Sequence, residues 1–456
     1  DMVRLLERNG LAFGPDTNAE TSFDDTTYKL DLPRNDPALL DLAIKLMRET
    51  ASELTISAEA VARERGVLLA EMRDRNTWQL RNAQGQSSFQ HPRALYARRF
   101  PIGTAETLTS ASADALRAFW RREYVPSQTT VIVIGDFPVE LMEAAVKARF
   151  EDWQGAAAAP QPKAGPIATS DRQRTAIYLD PALSERVTAS RHGKWRDEPD
   201  SAAQRQQNTL RQIGNSIINR RMLRLSREAD APFRSGGFGT ADTFKAGKTT
   251  NLVVDTVDGK WKRGLQAAAV EYRRAMRFGF LDGEVAEQVA NLKTAAEDAA
   301  ASAETRSHAA LAGQLFALLR DDVVPATPQS SLGRLKAFLP AITPAKVQAE
   351  LKRQAVPLKQ PLLRFQGRKN PEGGERALRQ AWDEAMAKPV SPPQATETLQ
   401  FGYQNFGLAG TVVSDTRDPA FGLRQIRFAN GVMLNLKRTT LEADRVIAQV
   451  SIDGGE

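Results

Sequence analysis

No cysteine occurs in the 456 residues, which removes disulfides, thiolate zinc sites, iron–sulfur ligation and thiol nucleophiles together. Histidine is almost as scarce. His91, His192 and His308 are the only three, and none has a second histidine three or four positions on, so no helix of this sequence offers a two-histidine metal face. Any metal site needs ligands from outside. No apolar run approaches the roughly 18 residues of a membrane-spanning helix, and residues 1–30 lack the basic, apolar, small-residue order of a secretory signal. A surplus of one charge sign is lacking too: 62 Lys and Arg face 55 Asp and Glu, and the formal +7 is interspersed rather than blocked, so nucleic acid is not an expected partner. The densest basic cluster, Arg220, Arg221, Arg224 and Arg227, is expected to be a solvated helix face.

What remains is an ordinary balance for packed domains, 41% hydrophobic and 26% charged, in a length that corresponds to about two to four of them. Residues 155–166 (GAAAAPQPKAGP) and 388–395 (KPVSPPQA) read as linkers, rich in Ala and Pro without apolar period. They divide the chain into a first piece, 1–154, a middle piece, 167–387, and a third from about Leu399 to 456. The first opens in a helix whose apolar face holds Met2, Val3, Leu5 and Leu6, with Gly10 placed to end it. Thr27–Leu32 alternates as a half-buried strand, and Asp36-Pro37 reads as an N-cap followed by proline at the first helical position. Further helices are expected from Ser57 to about Gln79 and from about Ser112 to Tyr124, then a strand over Thr129–Ile134.

The middle piece repeats this grammar: a helix near Ala345–Ala355 stops at Val356-Pro357, and a strand over Leu362–Phe365 ends at Gly367. Pro126 and Pro357 are 231 positions apart, Gly135 and Gly367 232, which marks two copies of one α+β unit. The middle copy also has an opening the first lacks: strands around Thr175–Leu179 and Arg186–Ser190, then a long helix over about Ser201–Arg227. The third piece has only an opening, with Arg424–Leu436 and Arg445–Ile452 read as paired strands. The expectation is a chain that begins and ends in mid-domain, a natural start being the alternative.

The helix from Ser57 carries Glu64 and Glu71 seven residues apart, about 20° from each other around the axis. With Val61, Leu68 and Met72 as the apolar centre, both carboxylates are expected in the inward half, where each needs a cation, a metal or strong donors. Pairing with Arg65 or Arg75 is the ordinary explanation, since Glu71 and Arg75 have i,i+4 spacing. Sliding Leu281–Glu284 over Ile56–Glu59 sets Val289 opposite Glu64 and Ala296 opposite Glu71. Acids confined to one copy suggest a task rather than scaffolding. The stretch Phe13–Leu30, with its Gly14-Pro15-Asp16 turn and Ser/Thr/Asn-rich strand, reads either as an ordinary surface hairpin or as an edge able to accept an extended peptide. Ser22, Asp24, Asp25 and His91 make no hydrolase triad, because no nucleophile elbow surrounds Ser22. Ser235–Gly239 is glycine-rich without a phosphate-loop ending and is expected to be a turn; the histidines read as surface or structural.

These residues resemble the insulinase/pitrilysin zinc metallopeptidases, the inverzincins. The resemblance rests on GPDTNAETSFDDTTY (Gly14–Tyr28), ERGVLLAEM (Glu64–Met72), PIGTAETL from Pro101 and FWRREYVPSQTTVIVIGDF ending at Phe137. The middle piece resembles the family's second, non-catalytic domain, and Phe428–Gly431 the opening of a third. The resemblance implies an α+β fold of repeated insulinase-type α/β sandwich domains, each an antiparallel-rich sheet covered by helices, forming half of a clamshell. It implies zinc held by two histidines of an inverted H-x-x-E-H motif and a downstream glutamate. Glu71 matches that ligand, Glu64 the acidic residue that supports it, and Asn18, Ala19, Glu20 and Thr21 the edge strand that pairs with substrate backbone. Glu20 stands where the family often has an aromatic. H-x-x-E-H occurs nowhere in the sequence, which on this resemblance places it upstream of Asp1. The implied parent is a zinc endopeptidase for peptides or small unfolded polypeptides, in the periplasm or cell envelope, partnered by the rest of its polypeptide or a homologous subunit. This chain alone is expected to be an inactive fragment with zinc absent or weakly bound. The alternative is a non-catalytic insulinase-like scaffold that binds peptides.

Overall fold

The computed structural model describes residues 2–12, 14–394, 405, 407–440, 446–452 and 454. Along the first piece run α1 (Met2–Arg8), β1 (Thr17–Thr21), β2 (Thr26–Leu30), α2 (Pro37–Ser52), α3 (Ala58–Arg75), α4 (Trp78–Gln90), α5 (Ala105–Ser110), α6 (Ala113–Glu123) and α7 (Val139–Phe150). Next come β3 (Thr175–Leu179), β4 (Arg186–Lys194), α8 (Ala202–Leu225), β5 (Ser235–Thr243), β6 (Gly247–Asp255) and α9 (Trp261–Phe278). After them follow α10 (Asp282–Ala301), α11 (His308–Arg320), α12 (Pro328–Phe338), α13 (Pro344–Gln354), β7 (Leu362–Gly367) and α14 (Gly374–Ala387), then β8 (Val412–Asp418), β9 (Leu423–Phe428) and β10 (Met433–Lys437).

Local chemistry sets many of these boundaries. Gly10, at φ +82°, turns the chain after α1. Asp36 caps α2, its Oδ1 accepting from the amides of Ala38 (2.8 Å) and Leu39 (3.2 Å), with Pro37 opening the first turn. Ser57, Ser112 and Ser201 cap α3, α6 and α8 in the same way. The helix expected to reach Gln79 stops at Arg75, because Thr77 caps a new helix, its Oγ1 accepting from Leu80 N at 3.4 Å. The internal repeat is visible in the elements: α6 and α13 both have 11 residues, and 344 − 113 again gives 231.

The described residues divide into two units, the first of Asp1–Phe280, His308–Val324 and Thr343–Pro392. At its centre lies a five-stranded sheet ordered β3-β7-β4-β6-β5, parallel only between β3 and β7. All six residues of β7 are buried. Phe365 and Leu363 belong to a core completed by Ile213, Ile217, Leu265 and Trp382 of α8, α9 and α14. The residues between them carry polar groups to α4: Arg364 donates to Asn82 Oδ1 (2.7 Å), and Gln90 donates to Ser190 Oγ (2.9 Å). Helices therefore cover both faces of the middle copy's sheet, as its uninterrupted burial requires. A smaller cluster of Leu6, Leu11, Leu39 and Leu46, with Leu30 and Leu32 against it, joins α1, α2 and the β1–β2 hairpin.

Four expectations are corrected. Thr129–Ile134 is not a strand: its counterpart β7 sits between β3 and β4, and residues 1–154 hold no equivalent of either, so its backbone has no ladder to join. Ser235–Gly239 is not a turn but the start of β5, where glycine is needed because a Cβ on Gly236 would lie 2.9 Å from Met222 Sδ. Arg221 is not solvated. It is 2% exposed, donating to Glu271 Oε1 (3.1 Å) and Gly279 O (3.2 Å). Glu271 also pairs with Arg274. Removing one member leaves buried charge uncompensated, so Glu271→Ala is expected to destabilise the chain by about 3–5 kcal/mol, read as a lower urea midpoint. A loss below about 1 kcal/mol would contradict the pairing.

The fourth correction concerns the second unit, Leu281–Ser307, Pro325–Ile342 and Pro393–Glu456. It holds the pair α10 and α12, joined by Lys336 and Glu297 at 2.9 Å, and a three-stranded sheet ordered β10-β9-β8. Arg424–Leu436 pairs with itself, not with a later strand: Asn430-Gly431, with Gly431 at φ +88°, closes β9 and β10 into a hairpin. Residues 446–452 form no strand, and Arg445 lies outside the described residues, as do Leu399 and Phe13. Ile426 is the only buried residue of this sheet among the described residues.

Candidate active site

α3 does not have the inward half that its pattern suggests. None of its residues is buried; Val67 is 57% and Leu68 39% exposed. Its main anchor is Arg65, whose Nε donates to Leu108 O (3.1 Å) and Nη2 to Ala111 O (2.7 Å) at the end of α5. Arg65 therefore faces backbone carbonyls and is no partner for either acid. Arg65→Ala is expected to free α3 from α5 at a cost of about 1–3 kcal/mol, measured by urea unfolding with faster amide exchange confined to α3. Unchanged exchange there would show that the contact does not hold the helix.

Glu64 and Glu71 share a side of α3, but each meets only a local arginine. Glu71 Oε1 lies 2.7 Å from Arg75 Nη2, one turn on, with its side chain 37% exposed; Glu64 Oε1 lies 3.2 Å from Arg63 Nε and is more open. The expected burial of both carboxylates is thus corrected: Glu71 is half-buried and Glu64 exposed, and no residue of α3 is buried. Exposed pairs such as these contribute about 0–1 kcal/mol, so neither acid is required for the fold.

The edge strand is placed as an edge. Among the described residues β1 pairs only with β2, in the register Asn18↔Lys29, Ala19↔Tyr28, Glu20↔Thr27 and Thr21↔Thr26. Asn18–Thr21 are exposed, Glu20 pairs with Lys29 (3.1 Å), and Asn18 Oδ1 accepts from the Ala19 amide (2.8 Å). At the hairpin tip Ser22 Oγ donates to Asp25 Oδ1 (2.6 Å), a turn role that leaves no nucleophile. Phe23 beside it meets Phe244 of the β5–β6 turn (5.2 Å) and Phe100 (5.5 Å) edge to face. Tyr28 and Tyr124 share a hydrogen bond of 2.7 Å; burial first, then this bond, pushes the Tyr28 hydroxyl up. Among the described residues no hydrogen bond or ion pair links Glu64 or Glu71 to Asn18–Thr21.

One cluster had no local signal at all. His91 follows α4, His192 lies in β4, and their buried rings touch at a tilt of 49°, with centroids 4.3 Å apart, between the two copies. His192 Nδ1 shares a 2.9 Å hydrogen bond with Thr249 Oγ1. Burial first, then His192 and Arg174, lowers His91 to about 3; burial first, then Arg191, lowers His192 to about 4. Both rings are neutral structural groups.

The donors among the described residues do not make a zinc site. Among the described residues no group of three or more His, Asp or Glu could hold a metal ion, and α3 offers one carboxylate already paired with Arg75.

Comparison with known proteins points to one family. Residues 1–89 match the profile "Insulinase (Peptidase family M16)" and residues 110–224 the profile "Peptidase M16 inactive domain". Both profiles are of the insulinase family, and together they match a little under half of this chain. It is 29% identical over 246 residues to "Zinc protease PQQL-like" of Arabidopsis thaliana, covering 51% of this chain and 24% of that protein. It is 33% identical over 135 residues to "Probable zinc protease PqqL" of Haemophilus influenzae, covering 30% and 15%. The chain thus spans under a quarter of the length of these curated relatives. In structure it resembles the first half of the periplasmic protease PqqL from Escherichia coli, with a TM-score of 0.77 at 19% identity over 86% of this chain and 85% of that one. The insulinase-type fold, an antiparallel-rich sheet covered by helices, is the one observed. No helix among the described residues is long and apolar enough to cross a membrane.

Proposed function

We propose that this insulinase-family chain is part of a zinc-dependent endopeptidase that hydrolyses peptides or small unfolded polypeptides in the periplasm or cell envelope. The observation that carries the reading is α3: two acids seven residues apart on one side of a helix, held only by exposed arginine pairs and needed by no core. In this reading Glu71 is one zinc ligand, Glu64 supports it, and Asn18–Thr21 present an edge for extended substrate. The remaining ligands, the catalytic glutamate and the cover for Val67 and Leu68 come from the rest of the polypeptide or from a homologous subunit. The pieces 1–154, 167–387 and 399–456, with linkers 155–166 and 388–398, are proposed as a catalytic-type domain, a non-catalytic copy and the opening of a third.

A second reading, a non-catalytic scaffold that binds peptides at the same edge, is favoured by the absence of H-x-x-E-H from this sequence and of a metal-ligand group among the described residues. Metal analysis and peptide hydrolysis on the complete polypeptide separate the two. The enzyme binds one zinc and cleaves; the scaffold binds peptide with neither metal nor turnover. The 456-residue chain alone is expected to do neither metal binding nor cleavage.

A further inference from the structure

Apart from α3, the first unit contains a cavity of about 470 Å³ at the end of the middle sheet, between β4, β6, α8 and α13. Its size is that of an ordinary small-molecule site. Antiparallel pairing sets Lys248 opposite Gly193, and the last pair of the ladder is Lys194 with Gly247. Arg196 follows β4, Arg211 projects from α8, and Arg353 from α13. Arg353 is engaged by Glu350 (2.8 Å) and Gln207 (2.7 Å). Lys194, Arg196, Arg211 and Lys248 have no carboxylate within ion-pair distance among the described residues, and Arg211 and Lys248 are half-buried.

The acids on the same walls are mostly committed. Asp200 is held by Arg205 and by the Val324 amide (3.0 Å), Asp322 by Lys245 (2.7 Å), Asp321 by Arg320 (3.2 Å), and Asp242 by the Lys245 amide (3.0 Å). Glu198 reaches Arg353 at 3.5 Å. Asp197 lines the same walls without an ion pair, and Asp242 meets only backbone amides, so the four unpaired cations face two unpaired carboxylates among the described residues. Burial first, then Arg196 and Arg353, lowers the Lys248 ammonium, and burial lowers Arg211. Half-buried cations facing one another are unfavourable until an anion joins them. Gln204, Asn208 and Gln354 add neutral amide donors.

We propose that this cavity binds a small multivalent oxyanion, a phosphate- or carboxylate-bearing molecule with at least two negative charges, gripped by Arg211, Lys248, Arg196 and Lys194. The site is independent of α3 and its acids. Isothermal titration of the whole 456-residue chain with pyrophosphate in one arm and citrate in the other tests it. Saturable binding that weakens with salt is expected. Arg211→Gln and Lys248→Gln should each raise Kd about 10-fold through loss of a charge-assisted contact, with circular dichroism unchanged. Arg196→Gln, on an exposed side chain that cannot unfold the core, should weaken binding as well, and Lys45→Gln on α2 should not. Binding of pyrophosphate alone identifies a phosphate ligand, of citrate alone a carboxylate, and of both a site that reads charge; each supports the proposal. No saturable binding of either up to about 5 mM, or an unchanged Kd in all three cavity variants, overturns it.

Discussion

Glu71→Gln in the complete protein is expected to remove bound zinc and to lower peptide hydrolysis by at least about 100-fold, because a neutral amide replaces an anionic ligand in a set of three. The same substitution should leave the stability of this chain within about 0.5 kcal/mol, since the carboxylate's one partner is Arg75 across an exposed i,i+4 pair. That contrast distinguishes a ligand from a structural acid. Arg75→Ala adds a second check: the guanidinium now holds the oxygen that zinc would take, so its removal should leave metal content intact or raise it. Glu64→Gln should cost about 10–100-fold in activity or metal affinity, the range for groups that support a ligand without touching the metal. Full zinc content and undiminished turnover in Glu71→Gln would end the ligand assignment, and with it the reading of α3.

How far sequence reasoning carried depended on how local each cause was. Asp36, Ser57, Ser112 and Ser201 act on amides two or three residues away, so the starts of α2, α3, α6 and α8 were legible. The repeat was legible for a similar reason, since α6 and α13 end at the same Val-Pro step. Strand formation over Thr129–Ile134 was not, because β propensity is realised only when neighbours exist, and only the second copy supplies them, as β3 and β4. Arg221 looked like its solvated neighbours in sequence; only the approach of Glu271, 50 residues on, makes it a core residue. The acids of α3 were correctly placed on one side of a helix, but their exposure depends on what packs beneath, and no residue of α3 is buried. The family resemblance, carried by Gly14–Tyr28 and Glu64–Met72, was right, whereas the site residues it implies remain the proposal tested above.

Acidification should destabilise this fold earlier than its carboxylates alone would. His91 and His192 are held neutral in the folded chain at about 3 and about 4, against an ordinary value of 6.5. The unfolded chain therefore binds two protons that the folded chain refuses. Their contribution is complete above pH 6.5 and is lost as pH falls towards the folded values, at up to about 1.4 kcal/mol per pH unit for each ring. By pH 5 the two together would remove up to about 4 kcal/mol, a large part of a marginal stability. Carboxylates such as Asp36, held low by the Leu39 and Ala38 amides, and Asp41, held low by Arg149, release their share only below about 4. The span from 6.5 to 5 thus belongs to the histidines. Urea midpoints across that span should fall steeply in the wild-type chain and about half as steeply in His91→Phe, which keeps an aromatic ring against Tyr96 and removes one titrating group. Equal slopes in the two would show that the ring at 91 takes its proton in the folded state, and the touching pair would then not be the neutral joint between the copies that its burial requires.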